Sequence, residues 1–387
     1  MQTLNSAATS PLVPAGWMDG IVESVEHGHV VLSPAGQRPR RRILFVNSYG
    51  GGAIWNRIKQ GLVPPHHLWG CIDLVRLGYE VALAEPLKHF FIQRRRRPFP
   101  HDLALLKMMR HWLGQDGILY CGHTLLYWVP LLKSLGLLNR RIASVTYARE
   151  KLDHARAHSG IIALTPAAAD QAKKMAPNVK VAHVGWGVDL NFFPHLPYDP
   201  QWFMSCGITE RDHPTLCAAS ALTQQPVRVI CPGLPKTLNW PKNVQVVDGV
   251  QLINGAPGWA GENKSLSFRD LLLDQYQQCA ASLTVVKYDP TEKTACGYTA
   301  ILEAMAMARP IIVTRTGAMP GELDPEKLGC GLLVPPKDPA ALAAAIDRLA
   351  REPKLAQAMG ETGRKLCATH YSSARHGRSL HEFFETL

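Results

Sequence analysis

A chain of 387 residues is longer than one hydrophobic core ordinarily supports, so we expect two domains. Its 46% hydrophobic and 19% charged residues are typical of globular proteins. The nine cysteines lack the spacing of a zinc site or the even count of a disulfide framework, and no apolar run is long enough to span a bilayer. The net charge of +11 favours anionic partners such as nucleotides or phospholipid surfaces, but no zinc finger, basic zipper or aromatic-studded basic motif indicates nucleic acid.

The first half of the chain alternates between short apolar runs and helical segments. Residues 1–40 are interpreted as an N-terminal extension, in which the pattern predicts a small hairpin that turns at His27 and Gly28. The strands that follow are predicted from the runs "RRILFVN", "EVALAE", "GILYCG", "RIASVTY" and "GIIALTP". This alternation predicts a mostly parallel sheet that is covered by helices on both faces.

A domain boundary is predicted where "HVGWGVDLNFFPHLPYDP" (183–200) interrupts the alternation with glycine and proline. Strands and helices then start afresh, and one helix has Asp338 as its N-cap and Pro339 at its first position. We therefore predict an N-terminal domain at 41–190, a second domain at 191–364 and a terminal helix at 365–387. Two doubly wound domains leave a cleft between them, and ligands bind outside the carboxyl ends of such strands.

Glu303 is the unusual residue of "CGYTAILEAMAMARPIIVT", a segment that predicts a buried helix followed by a buried strand. Helical spacing places Thr299 on the same face as Glu303, but it places no charged partner there. A carboxylate on so apolar a helix is costly unless it reaches water or hydrogen-bond donors. Two interpretations stay open: Glu303 faces solvent on a narrow polar strip, or it binds a ligand.

Gly297 stands where the backbone turns into this helix. The free N–H groups and the positive end of the helix dipole form a site for an anion there. A phosphate at the helix start and a carboxylate nearly two turns later fit a nucleotide, whose ribose hydroxyls would bond to Glu303. The alternative is a glycine that only forms a turn.

Several segments resemble family 4 glycosyltransferases. Two segments resemble the C-terminal half of that family: "GYTAILEAMAMARPIIVTRTGAMPGEL" and "GLLVPPKDPAALAAAIDRLAREPKLAQAMGETGRKLCATHYS". The segment "VGWGVDLNFF" resembles its hinge, and "SCGITERDHPTLCAAS" resembles the first strand and helix of its donor domain. The resemblance implies an α/β chain with the GT-B fold, in which two Rossmann-like doubly wound domains face each other across a cleft and a C-terminal helix crosses back to the first domain. It also implies a retaining transferase that moves a sugar from a nucleotide-activated donor, with a UDP- or GDP-sugar as the expected co-substrate.

The resemblance also implies roles for individual residues. Glu303 matches the second glutamate of the family's paired-glutamate motif, which contacts the ribose. Gly297, Tyr298 and Thr299 match the loop and helix start whose backbone amides approach the donor. The position of the family's first glutamate holds Ala295 in this chain, so the grip on the transferred sugar departs from the family pattern.

Basic residues after the first strand of the second domain hold the diphosphate in this family, which implies Arg211 and, second, Lys236. The family's usual arginine is replaced by Ile208. The charge on a departing nucleoside diphosphate is stabilised by fixed amides, a helix dipole and a cation in a dry cleft. The alternative for both Arg211 and Lys236 is a surface charge. We expect no metal and no cofactor besides the donor, because the sequence has neither an Asp-x-Asp cluster nor a His/Cys ligand set.

In the N-terminal half, the loop "YGGGA" is a second place where backbone can approach a ligand. Gly50, Gly51 and Gly52 are expected near the donor phosphate or the acceptor, unless they form only a flexible turn. His123 is a candidate near an acceptor hydroxyl because imidazole titrates near neutral pH, with a structural role as the alternative. Retaining transfer need not use a protein base, since the resemblance implies a same-face route in which the departing phosphate receives the acceptor's proton.

The expected acceptor is a sugar, a lipid or a lipid-linked glycan. The basic runs at 38–42 and 94–97 and the apolar run "LLYWVPLLKSLGLL" favour contact with an anionic membrane surface. We therefore expect a cytoplasmic protein that is peripheral on the inner face of the membrane. Two alternatives stay open: a catalytically inactive sugar-nucleotide-binding partner, favoured by Ala295, and another GT-B enzyme such as a sugar-nucleotide epimerase.

Overall fold

The strands of the protein form two separate sheets, one from each half of the chain. The computed structural model describes residues 17–47, 50–85, 99–122, 126–146, 154–207, 210–231, 237–248, 274–287, 296–316 and 323–387. Among these residues, no helix is long and apolar enough to cross a membrane.

Within the described residues, the first sheet has eight strands in the order β1-β2-β4-β3-β5-β6-β7-β8. They are β1 (Ile21–Glu26), β2 (His29–Pro34), β3 (Arg42–Val46), β4 (Glu80–Leu83), β5 (Ile118–Cys121), β6 (Arg141–Thr146), β7 (Gly160–Ala163) and β8 (Lys180–His183). Strands β1 and β2 form the predicted hairpin around His27 and Gly28, and β2 joins the sheet antiparallel to β4. The remaining neighbours pair in parallel. The strand order switches direction at β3, which has β4 on one side and β5 on the other.

The helices of this half connect the parallel strands. They are α1 (Gly51–Lys59), α2 (Cys71–Arg76), α3 (Phe99–Met108), α4 (Trp128–Ser134) and α5 (Pro166–Met175), with 3₁₀ helices at Pro65–Leu68 and Ala155–Ala157. A π-helical turn, Met109–Leu113, continues α3. Parallel strands need such crossovers, so the alternation of apolar runs and helices in the sequence is sufficient to predict the α/β class.

In the part of the chain that the structure describes, the second sheet has six parallel strands in the order β11-β10-β9-β12-β13-β14. They are β9 (Trp202–Cys206), β10 (Val227–Cys231), β11 (Val244–Asp248), β12 (Cys279–Thr284), β13 (Ile311–Thr314) and β14 (Gly331–Val334). Its helices are α6 (His213–Ser220), α7 (Asp274–Gln277), α8 (Tyr298–Ala306), α9 (Pro325–Leu328), α10 (Pro339–Arg351) and α11 (Pro353–Thr369). This is the doubly wound order of a Rossmann-like sheet, and its switch point lies between β9 and β12.

The predicted start of α10 is confirmed. The Asp338 side chain accepts a hydrogen bond from the Ala341 N–H, and Pro339 occupies the first helical position, where its missing N–H costs nothing. The cap fixes which residues face the sheet, and the buried stripe that results includes Leu342, Ile346 and Leu349.

The last helix, α12 (Ser373–Glu385), crosses back and packs on α2 of the first domain, as expected. Phe384 is fully buried there, with its ring 5.3 Å from that of Tyr120. Three cations of the first domain bond to carbonyl groups at the C-terminus of α12: Arg41 Nη1 to Phe384 O at 2.8 Å, Arg141 Nε to Leu387 O at 2.8 Å, and Lys180 Nζ to Thr386 O. These bonds satisfy carbonyls that lack helical partners and place positive charge at the negative end of the helix dipole.

The basic run at 38–42 is therefore partly used inside the fold. Besides Arg41, Arg42 forms an ion pair with Glu80 at 2.6 Å and donates to Trp112 O at 2.8 Å. The other basic run, at 94–97, lies outside the described residues.

Candidate functional site

The candidate site lies at the carboxyl ends of β9 and β12, the switch point of the second sheet. The chain leaving β9 carries Arg211, and Arg211 forms an isolated β-bridge with Val286, just beyond β12. Helix α8, which carries Glu303, follows β12 and packs against it. A doubly wound sheet opens a crevice at this point because the connections from its two central strands run to opposite sides.

Arg211 is a buried cation at the floor of this crevice, with 6% of its surface exposed. Its Nε donates to Cys206 O at 3.0 Å. Two glycines with left-handed backbone surround the guanidinium: Gly207 with φ +111° and Gly297 with φ +84°. A Cβ at Gly207 would lie 2.2 Å from Arg211 Nη2, and one at Gly297 would lie 2.4 Å from Thr284 Cγ2. Both glycines are therefore required by backbone conformation and by space.

Gly297 is the N-cap of α8, which confirms that the backbone turns into the helix there. Tyr298, the first residue of α8, is buried, and a Cβ at Gly185 of the interdomain segment would lie 3.2 Å from its hydroxyl. Thr299 is exposed. The helix start thus places Tyr298 against the connection between the domains and leaves Thr299 exposed.

Glu303 is buried, with 5% of its surface exposed, so the interpretation of a solvent-facing polar strip is wrong. Burial raises the pKa of Glu303 to about 8, although the nearby Arg211 acts to lower it. Cys206 and Tyr276 also lie near Glu303, and their thiol and hydroxyl groups are 3.2 Å apart. Burial, and secondly the Glu303 carboxyl, raises the pKa of Cys206 to about 11. With a pKa of about 8, the Glu303 carboxyl can be converted to a carboxylate by a modest change in its surroundings.

His66 meets Glu303 from the other domain. Its Nε2 lies 3.4 Å from Glu303 Oε1, and both side chains are almost fully buried. The imidazole stacks on Phe193 of the interdomain segment, with ring centroids 6.0 Å apart and planes at 8°. Sequence reasoning missed His66, because nothing local in "PPHHLWG" indicates a partner in the other half of the chain.

The glycine loop of the first sheet has a different environment. Helix α1 begins at Gly51, at the carboxyl end of β3, and the Gly52 N–H donates to Glu85 Oε1 at 2.6 Å. A Cβ at Gly50 would lie 2.2 Å from Glu85 Oε2. A carboxylate of the chain itself thus occupies the start of α1. The expectation that Gly51 and Gly52 lie near the donor phosphate or the acceptor stays a prediction.

Other expected site residues cannot be placed. Lys236, His123, Ala295 and Ile208 lie outside the described residues. Within the part of the chain that the structure describes, no three His, Cys, Asp or Glu side chains are grouped so that they could hold a metal ion.

The geometry at the second switch point fits a ligand that is anionic at one end and rich in hydroxyl groups at the other. The amides at the start of α8 attract an anion because they lie at the positive end of the helix dipole, and the buried Arg211 attracts one through its own charge. Glu303, one and a half turns along the same helix, is a hydrogen-bond acceptor in a setting with little competing water.

One stretch of the chain matches a family model. Residues 290–366, which include α8 and Glu303, match the family model of glycosyl transferases group 1. No curated protein sequence matches the chain.

Solved structures match over most of the chain. Sucrose-phosphate synthase from Thermosynechococcus elongatus has a TM-score of 0.61 at 16% identity, over 90% of this chain and 99% of that one. A trehalose-6-phosphate synthase studied for glycosyl transfer with retention has a TM-score of 0.58 at 11% identity, over 90% of this chain and 99% of that one. HepE of Anabaena in complex with UDP-glucose has a TM-score of 0.55 at 14% identity, over 90% of this chain and 100% of that one. The fold of this chain is thus that of the GT-B glycosyltransferases, with two Rossmann-like α/β domains.

Proposed function

We propose that the protein is a retaining glycosyltransferase that uses a nucleotide-activated sugar as donor. The observation that carries this proposal is the combination of Arg211, the start of α8 and Glu303 at one switch point. The match of residues 290–366 to glycosyl transferases group 1 supports the reaction class. The UDP-glucose complex of HepE, a protein of the same fold, supports a nucleoside diphosphate sugar.

In the proposed donor complex, the diphosphate lies between Arg211 and the first-turn amides of α8, and the ribose hydroxyls bond to Glu303. As the bond from the sugar to the diphosphate breaks, negative charge builds on the leaving phosphate oxygen. A fixed guanidinium and fixed amides stabilise that charge without reorganising, which is where such sites gain most of their rate. Lys236 remains a second candidate cation, and His123 a candidate beside the acceptor.

Retention is proposed from the family resemblance, and the trehalose-6-phosphate synthase of the same fold supports it. In this route the acceptor attacks from the face that the diphosphate leaves, and a leaving phosphate oxygen takes the acceptor's proton. The anomeric configuration of the transferred sugar in the glycoside product, measured by NMR, tests retention directly: the same configuration as the donor supports it, and the opposite one refutes it.

The donor class is tested by thermal unfolding with UDP, GDP, ADP and CMP and their sugar conjugates. A ligand with micromolar Kd at millimolar concentration should stabilise the protein by about 4 kcal/mol. Selective stabilisation of the wild-type protein, weakened in Glu303→Gln, supports the donor site. A folded protein that responds to no nucleotide refutes the proposal.

A catalytically inactive sugar-nucleotide-binding partner is the second candidate, because Ala295 replaces the family's first glutamate. Donor hydrolysis in the absence of acceptor separates the two functions. Turnover that is lost in Arg211→Gln identifies an enzyme, whereas binding of a sugar nucleotide with no hydrolysis and no transfer identifies the inactive partner.

For the acceptor we propose a lipid or lipid-linked glycan at the cytoplasmic face of a membrane. Helix α3 and the π-helical turn expose Leu103, Lys107 and Arg110 at helical spacing, and α4, which packs on α3, is followed by the exposed Leu135 and Leu137. Exposed leucines beside cations are suited to an anionic bilayer surface.

Sedimentation with anionic and with zwitterionic vesicles at low salt tests this surface. We expect binding to the anionic vesicles that is reduced in the double variant Leu135→Ser and Leu137→Ser. The matched control is Leu222→Ser, which removes a similarly exposed leucine from the second domain. Equal binding by all three proteins, or none by the wild type, refutes the membrane proposal.

A further inference from the structure

His66 is held in one orientation at the junction of the two domains. It belongs to the 3₁₀ helix Pro65–Leu68 of the first domain. Its ring stacks with that of His67, with centroids 5.0 Å apart, and with that of Phe193, and it makes a T-shaped contact with Trp186 at 6.1 Å. Because three rings contact this buried imidazole, the nitrogens of His66 have little freedom to choose other partners.

The nitrogens of this imidazole are unusual for a buried side chain. Neither has a hydrogen-bond partner among the residues that the structure describes. The carboxyl oxygen Glu303 Oε1 lies 3.4 Å from His66 Nε2, a distance just beyond a normal hydrogen bond. A buried polar atom left in this state costs free energy, which a hydrogen bond to Glu303 would recover.

The imidazole is neutral at neutral pH, since burial lowers the pKa of His66 to about 4 against the opposing effect of Asp189. A neutral imidazole has one N–H donor and one acceptor. It can therefore donate to the Glu303 carboxylate without bringing a second charge into the buried junction.

We propose that His66 is a positioning residue for Glu303: its Nε2 bonds to Oε1, which leaves Oε2 to accept the hydroxyl groups of the donor's ribose. The inference rests on the proposed function, because it assigns the ribose to Glu303. It adds the first domain to donor recognition, since His66 reaches Glu303 only when the two domains are together.

The proposal makes ribose recognition depend on pH. Glu303 accepts hydroxyl hydrogen bonds best as a carboxylate, and its pKa of about 8 keeps it protonated at lower pH. Removing the His66 N–H takes away a group that stabilises the carboxylate, so the pKa of Glu303 should rise further. The other titratable or charged groups that face this pair are Arg211, Cys206, Tyr276, Asp189, His67 and His376.

The test compares His66→Phe with His66→Gln. Phenylalanine keeps a ring that can stack on Phe193 but has no N–H, whereas glutamine keeps an N–H donor. Titration calorimetry gives the affinity of each protein for UDP and for 2′,3′-dideoxy-UDP between about pH 6.5 and about pH 9.5. GDP or ADP and its dideoxy form replace UDP if thermal unfolding selects that nucleotide. Because both ligands carry the same base and phosphates, titration of those groups does not change the ratio of the two affinities.

In the wild-type protein the ratio should favour the ribonucleotide and should rise with pH up to the pKa of Glu303. His66→Phe should lower the ratio by about tenfold near pH 8 and move its midpoint to higher pH, because charge-assisted bonds are the strong ones. His66→Gln should recover most of the ratio. Thermal unfolding of both variants without ligand checks that each is folded.

Two outcomes overturn the inference alone: nucleotide binding with the same ratio and midpoint in all three proteins, or equal losses for the ribonucleotide and its dideoxy form in His66→Phe, which indicate a structural role. A wild-type protein that binds no nucleoside diphosphate overturns the proposed function, and the inference with it.

Discussion

The two sheets present the same structural opportunity in different ways. In both, a helix begins at the carboxyl end of a central strand beside a switch point, where its amides can attract an anion. In the first sheet, the start of α1 is bonded to Glu85 of the chain itself. In the second, the start of α8 lies beside the buried cation Arg211. A glycine before a helix therefore marks a possible anion site, and the charge of the neighbouring side chain decides whether it is available.

Replacing the cation at the second switch point should have the largest effect. Arg211→Gln should lower the rate of sugar transfer or donor hydrolysis by about 10²–10³-fold, because it removes a fixed donor at the leaving phosphate. The measurement is kcat with the donor that thermal unfolding selects. A rate within a few-fold of the wild type would mean that Arg211 supports only the backbone at Cys206.

The carboxyl at this site should make the protein less stable as the pH rises. The folded pKa of Glu303, about 8, lies above its unfolded value, so its contribution to stability is fully present at low pH and is lost as the pH rises toward 8. The loss is on the order of 3 kcal/mol between about pH 5 and about pH 9.

Glu303→Gln should flatten this dependence while weakening nucleotide binding. The check is the free energy of unfolding by urea at several pH values. A slope equal to that of the wild type would show that Glu303 does not titrate in this range.

The space around Arg211 is tested by Gly297→Ala. Its backbone has φ +84°, and the added Cβ meets Thr284, so the variant should lose about 2–3 kcal/mol of stability and shift Arg211. Gly136→Ala is the matched control, since it has φ +74° and no atom within 4 Å of the added Cβ. It should cost only about 1 kcal/mol. Equal losses would mean that packing at Gly297 is unimportant.

The smallest effect is expected in the first sheet. Glu85→Gln keeps the shape of the side chain but removes its charge from the start of α1, which should cost about 0.5–1 kcal/mol of stability. Thermal unfolding measures this loss. A gain in stability would show that the carboxylate is strained against Gly50 and Gly52.

The sequence was sufficient for features that depend on neighbouring residues. The hairpin at His27 and Gly28, the cap at Asp338 and the turn at Gly297 follow from local backbone preferences, and all three are present. The alternation of apolar runs predicted two α/β sheets. The domain limits stay predictions. Strand β2, which lies in the predicted extension at 1–40, pairs with β4, and α12 returns to the first domain.

Features that depend on distant residues were not predictable. Glu85 and the glycine loop are joined only after β3 and β4 pair, and His66 meets Glu303 only when the two domains are assembled. The burial of Glu303 was also undecided, because an apolar helix does not show which of its faces the rest of the chain covers. Each of these contacts joins residues far apart in sequence, and no local pattern encodes it.

The most direct test of the account is the affinity of the selected nucleoside diphosphate for the two variants Glu303→Gln and Glu85→Gln, measured by titration calorimetry against the wild-type protein. We predict that Glu303→Gln weakens binding by about tenfold or more, whereas Glu85→Gln leaves it unchanged. Binding that is weakened by Glu85→Gln and unaffected by Glu303→Gln would contradict the account, because it would place the nucleotide at the first sheet.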